Sequence, residues 1–130
     1  RVSSKLGSKL EKYLLENLVT NNYKTIPHKE QILSNTKLHI DLFLPELNIA
    51  VEVDGPSHFL PVWGEEALKR NQEYDNKKTG LLIGKGINLI RIKQQKDFSK
   101  SRAKIIFGRL MEAIADVKNQ GKNYIEIGDE

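Results

Sequence analysis

Four residues within one short stretch have the types and spacing for chemistry: Asp41, Glu52, Asp54 and His58. Glu52 and Asp54 stand two apart in the run Ile49-Ala-Val-Glu-Val-Asp54, which reads as a strand. Residues i and i+2 of a strand share a face, so both carboxylates point one way and Val51 and Val53 the other. Asp41 lies on the preceding run, which pairs with this one as a hairpin, and it reaches the same patch. Three carboxylates that close repel one another. A divalent cation removes the conflict, and oxygen donors favour Mg²⁺ or Mn²⁺, held by carboxylates together with water and phosphate oxygens. Acids on one face of a hairpin are commonly just solvated. Here, however, the strand is Val/Ile-rich and sits between two others, where paired carboxylates are costly without a purpose. His58 follows across the Gly55-Pro56 breaker and folds back over the carboxylates. A neutral imidazole is a natural proton acceptor for water attacking phosphorus. His28 and His39 lack such company and read as structural or surface residues.

Two more acids are oddly placed. Glu11 falls within the apolar arc of the first helix, among Leu14, Leu15 and Leu18 at about 100° per residue, so it sits at a rim or is aimed at something. Asp75 shares a helix stripe with Leu68, Gln72, Thr79 and Leu82, where it either faces the site or pairs on the surface with Lys77 or Lys78. Lys69, Arg70, Lys77 and Lys78 on that helix, with Lys93 and Lys96 beyond the third core strand, are candidate phosphate contacts, or else a solvated face. Phe59 and Trp63 in the loop after Asp54 either pack locally or wedge into a base stack.

The elements that must position these residues follow from periodicity. Ser3 or Ser4 caps a first helix to about Leu18, with Leu6, Leu10, Leu14 and Leu18 on its buried face. Tyr23 to Ile26 is a short edge strand stopped by Pro27. Lys37 to Leu44 alternates, with Leu38, Ile40, Leu42 and Leu44 on one face and His39, Asp41 and Phe43 on the other. Glu46 to Asn48 turns into the strand Ile49 to Asp54. A loop over 55–64 leads to a helix over Glu65–Ile83, ended by Gly84 and Gly86. Ile87 to Ile92 is a third core strand, parallel to 49–54 through the helical crossover. Ser99 to about Val117 is an amphipathic helix with Ile105, Ile106, Leu110, Ala113, Ile114 and Val117 toward the core. From Asn119 the tail is polar, and Tyr124 to Ile127 adds an edge strand or is disordered. The expected fold is α/β: a mixed central sheet of three to four strands flanked by three helices, in the order α-β-β-β-α-β-α.

Composition agrees with one domain over residues 1–130. The chain carries 21 Lys+Arg against 17 Asp+Glu, no cysteine, 38% hydrophobic and 29% charged residues. That profile is of an ordinary globular chain, not a disordered one. No apolar run approaches the roughly 20 residues of a membrane span. Absent cysteine excludes disulfides and thiolate metal sites and suits an intracellular setting. Arg1 in place of Met implies a fragment of a longer protein. The net charge of +4 leans toward a polyanionic partner.

Asp41 followed by Glu52-x-Asp54 on the next strand, after a helix holding Glu11, resembles the PD-(D/E)xK nuclease superfamily, in its very-short-patch-repair branch. Asp54 stands where that motif carries Lys. The pattern is similar to phage homing endonucleases with a Glu, Asp, His, Asp set (EDxHD), here Glu11, Asp41, His58 and Asp75. The resemblance spans roughly residues 5 to 93. It implies a restriction-endonuclease-like core and a metal-dependent DNA endonuclease in a bacterial or phage-infected cytoplasm. In that role Asp41, Glu52 and Asp54, with the Val53 carbonyl, hold Mg²⁺ or Mn²⁺. His58 activates water or protonates the leaving group, and Glu11 and Asp75 orient water, imidazole or metal shell. The string Ile49-Ala-Val-Glu-Val-Asp-Gly-Pro-Ser-His-Phe59 also resembles the RAP domain of organellar RNA-processing proteins, which implies an RNA-binding module without DNA cleavage.

Overall fold

The computed structural model describes residues 8–33 and 36–130, with side chains left undescribed over 31–36. Helix α1 (Lys9–Thr20) is followed by strands β1 (Ile26–Leu33), β2 (Thr36–Leu44) and β3 (Ile49–Asp54). A single 3₁₀ turn (Pro56–His58) precedes helix α2 (Glu65–Gly84), strand β4 (Asn88–Lys93), helix α3 (Lys100–Gln120) and strand β5 (Tyr124–Gly128). The sheet has five strands in the order β1-β2-β3-β4-β5, not three to four. β1, β2 and β3 run antiparallel, and β3, β4 and β5 are parallel.

Several boundaries differ from expectation for local reasons. The cap of α1 is Ser8, whose hydroxyl accepts the Glu11 N–H; Ser3, Ser4 and Leu6 lie outside the described residues. β1 starts at Ile26 and runs through Pro27 rather than stopping there. It is an edge strand, where a missing N–H costs no ladder bond on the open side. β5 is ordered against β4, with Ile125 and Ile127 packed on the core. In α3, Ile105 is exposed at 55% and Ala103 is buried in its stead.

Two apolar cores sandwich the sheet. On one face Leu10, Leu14 and Leu18 of α1 and Ala103, Ile106, Leu110, Ala113, Ile114 and Val117 of α3 pack on Leu42, Leu44, Ile49, Val51, Ile90 and Ile92. On the other, Leu82 of α2 meets Leu38, Ile40, Phe43, Ala50, Ile87 and Leu89. β2 does not alternate strictly, because Leu38 and Ile40 belong to the second core while Leu42 and Leu44 belong to the first. The change of face falls at Asp41. There the β2–β3 ladder gives out beyond the Leu42–Val51 pair, and the facing His28 on β1 has a left-handed φ of 51°. Among the described residues, no helix is long and apolar enough to cross a membrane.

Candidate active site

Where the β2–β3 ladder stops, side chains take over its hydrogen bonds. The Asp41 carboxylate (Oδ2) accepts the Val53 N–H at 2.8 Å, and the Glu52 carboxylate (Oε2) accepts the Asp41 N–H at 2.9 Å. This cross-brace holds both acids beside the sheet. Val53 supplies its N–H to this brace. Glu52 is 3% exposed and its other oxygen is bonded by Lys78, which also donates to the His39 carbonyl. Lys78 is therefore not one of the exposed cations expected on α2. It is buried, and it brings a positive charge from α2 to Glu52.

Asp54 is likewise buried and paired. Its Oδ2 accepts from the Arg91 guanidinium at 2.8 Å. Arg91 is 7% exposed and also donates to the Thr79 hydroxyl at 2.9 Å and the Asp75 carbonyl at 3.1 Å, tying β4 to α2. The Gly55-Pro56 break then turns the chain back, and the Asn71 side chain donates to the Ser57 carbonyl at 3.0 Å, pinning the turn to α2. That places His58 Nδ1 at 2.7 Å from Asp75 Oδ2 and 3.8 Å from Asp54 Oδ1. Asp75 is thus engaged with His58, and neither Lys77 nor Lys78 is its partner. Asp54, His58 and Asp75 offer ligand atoms all within 4.8 Å of one another, a spacing that could hold a metal ion.

Glu11 reaches the neighbourhood from α1. Its Oε2 accepts from the Ser8 hydroxyl at 3.4 Å, whereas Oε1 is buried with no partner among the described residues. Burial and then the Asp41 charge raise its carboxyl above the usual range. Burial raises Asp41 as well, with Asp54 adding to it. Burial and then Asp41 push Glu52 up despite Lys78. The electrostatic links run Glu11–Asp41–Glu52 and Asp41–Asp54, so the acids form one connected group. His28 lies near enough to lower Glu11 and Asp41, company that its sequence neighbours did not show. The hydrogen bond to Asp75 raises His58 above its ordinary value.

The structure therefore separates the expected metal trio. Asp54 joins His58 and Asp75 at ligand spacing, Asp41 and Glu52 brace each other's strands, and the group at ligand spacing among the described residues contains neither. Of the expected phosphate contacts, Lys69, Arg70, Lys77, Lys93 and Lys96 are exposed. Lys93 lies over the Phe59 ring, 4.6 Å from its centroid, and Trp63 is 74% exposed. A half-open cavity of about 720 Å³ lies above Asp54, His58, Asp75 and Arg91, bounded by α2 on one side and by Tyr124 and Glu126 of β5 on the other. Arg91 and the β5 residues escaped sequence reasoning. The signal for Arg91 was available: a charged residue inside the apolar run 87–92, a type seldom buried unless paired. Its register partner is Glu52, which puts it on the face that carries the carboxylates. We compared the chain with models of protein families, with curated proteins and with solved structures, and none of the three comparisons finds a match.

Proposed function

We propose that this chain is the catalytic domain of a Mg²⁺- or Mn²⁺-dependent DNA endonuclease with a restriction-endonuclease-like core. The observation that carries the reading is the cluster of Asp54, His58 and Asp75, joined electrostatically through Asp54 to Asp41, Glu52 and Glu11. Five carboxylates meet two paired cations, Lys78 and Arg91. One carboxylate oxygen, Oε1 of Glu11, is buried without a partner. An excess of hard oxygen donors with raised carboxyls fits a divalent cation. Asp54 and Asp75, which stand at ligand spacing with His58, would hold it, with Asp41 adding its charge from beside Asp54, while Glu52 is committed to Lys78. Such a cation supplies polarisation of the scissile phosphate and stabilisation of the leaving oxygen.

The chain's own groups do the rest. Asp75 binds His58 at Nδ1 and so fixes the ring, leaving Nε2 as the atom that takes a proton from water or returns one to the leaving group. The hydrogen bond to Asp75 raises the imidazole above its ordinary value and so favours its protonated form. Arg91 and Lys78 hold the Asp54 and Glu52 carboxylates in place through their hydrogen bonds. Exposed Lys69, Arg70, Lys77, Lys93 and Lys96 would meet the phosphate backbone.

Incubating the protein with supercoiled plasmid and with structured RNA, each with Mg²⁺ and with EDTA, tests this. Metal-dependent plasmid nicking is the expected result. Binding of RNA with no cleavage under any condition would instead select the RAP-like module.

A further inference from the structure

Beyond β4 two consecutive backbone N–H groups, those of Gln95 and Lys96, converge on one atom. It is Oδ2 of Asp129, which accepts them at 2.8 Å and 2.7 Å. The first contact joins residues 34 positions apart, so tertiary structure and not a local turn brings the carboxylate there. We propose that this N–H pair is a binding site for a backbone phosphate of the DNA strand, and that Asp129 stands in for the phosphate in the free protein. The proposal rests on the nuclease reading for its ligand, DNA, and for nothing else.

Successive N–H groups that converge make a concave anion site. Asp129 fills this one incompletely. Its other oxygen, Oδ1, is buried with no partner among the described residues. Leaving an acceptor in that state costs free energy, which departure of the side chain recovers. Among the described residues the carboxylate has no ion-pair partner either, so the two N–H groups hold its charge. The Lys96 bond is exposed, so an anion reaches the pair from solvent. The loop does not depend on Asp129 alone. Arg102 donates to the Asp97 carbonyl through Nε at 3.1 Å and Nη2 at 2.7 Å.

The pair lies at the rim of the proposed catalytic centre and outside its carboxylate cluster. Gln95 lines the cavity above Asp54 and His58, as do Lys93 and Glu130. A strand whose scissile phosphate meets the cation would carry its neighbouring phosphates past this rim. Lys93 and Lys96 are exposed there and add charge for them. Asp129 directly follows β5. Its N–H donates to the Lys93 carbonyl at 3.3 Å, while Arg109 donates to the Glu130 carbonyl at 2.7 Å. The segment thus lies where DNA would lie, and DNA gains the N–H pair only when Asp129 gives it up.

The test follows the ¹⁵N amide signals of Gln95 and Lys96 while inorganic phosphate is added to wild type and to Asp129→Ala. Both signals should move in the variant and stay in place in wild type at the same phosphate concentration. Binding of a short DNA duplex in EDTA, where no strand is cut, should be about tenfold tighter for Asp129→Ala. Its logarithmic salt slope should steepen by about 0.9, the value of one added phosphate contact. Asp129→Asn keeps the shape of the side chain without its charge and should shift both readouts the same way. Glu130→Ala removes a charge from the same segment and should leave them unchanged. Amide signals indifferent to phosphate in both Asp129 variants would overturn the proposal, and so would an equal gain in DNA binding from Glu130→Ala. Random-coil positions for both signals in both variants would do so as well, since Asp129 would then be only a fastener of the loop. Plasmid nicking with Mg²⁺ separates the two claims. Nicking with unresponsive amides keeps the nuclease and removes the site, whereas responsive amides and tighter DNA binding without nicking keep the site and remove the nuclease.

Discussion

The two faces of the sheet are built on opposite principles. The face under α1 and α3 is closed and apolar; α3 alone buries six side chains there, all aliphatic. Under α2 the sheet is apolar at one end only. That helix has 20 residues, yet the two it buries are Leu82 and Lys78. Its last turns dock through Leu82, and the turns before them meet the sheet through Lys78, Thr79 and Asp75, against Glu52, Asp54 and Arg91. Hydrophobic burial on one face stabilises the fold, and the charges on the other can then be held desolvated. Buried ion pairs add little net stability themselves. The difference teaches that the candidate site depends on stability supplied elsewhere.

The sharpest way to break this comparison is at the charged face. His58→Ala and Asp41→Ala should each abolish plasmid nicking, with a loss on the order of 10²–10⁴-fold at His58, the general acid–base group. Thermal unfolding should show the fold retained. Full cleavage by both variants would remove the site assignment.

Next in size is the contrast in stability. Leu110→Ala, in the closed core, should cost about 2–5 kcal/mol in urea unfolding. Lys78→Met leaves the Glu52 carboxylate buried without its cation, a change worth about 3–5 kcal/mol for a broken buried pair. Part of that cost should disappear below neutral pH, where Glu52 takes up a proton. Adding Glu52→Gln to Lys78→Met should recover stability at pH 8. If the double variant is no more stable than the single one, the pair does not act as described.

A smaller effect is proton-linked metal binding. Glu11, Asp41 and Glu52 hold protons more tightly than ordinary carboxyls, and a cation must displace them. The rise in Tm caused by Mn²⁺ should therefore be small at pH 5.5 and larger at pH 8. A rise that does not depend on pH would argue that the cation binds away from these acids.

The smallest expected effect concerns His58. Asp75 raises its folded pKa, so the pair contributes stability that is complete below the unfolded value of about 6.5. That contribution is lost as pH rises through the higher folded value. Asp75→Asn should remove it, so wild type and variant should differ in Tm at pH 6 and converge above the folded pKa. Parallel curves across this range would show that the two side chains are not coupled.

Much of this was legible in advance. Leu10, Leu14 and Leu18 announced a helix face, and the hairpin at 45–48 and the parallel crossover through α2 followed from alternation and helix length. Glu52 and Asp54 sharing a face is a two-residue periodicity, and the stripe through Asp75, Thr79 and Leu82 a helical one. Other features were misread where local rules met tertiary context. Pro27 reads as a stop, but an edge strand tolerates it. The alternation of β2 reads as one face, but it changes face at Asp41, where carboxylates replace ladder bonds. Lys78 reads as a solvated cation, because nothing within one turn of it reveals Glu52, 26 positions away in the chain.

The sequence by itself determined the helices, the central strands, their order and the shared face of Glu52 and Asp54, because these depend on periodicities of two and 3.6 residues and on turn residues. Only the tertiary structure decided the partners. It joined His58 to Asp75, Lys78 to Glu52 and Arg91 to Asp54, and it set β5 as the far wall of the cavity. The physical reason is range. Propensity and periodicity act over a few residues, whereas a buried charge is satisfied by whichever opposite charge strand register and helix docking bring within hydrogen-bond distance.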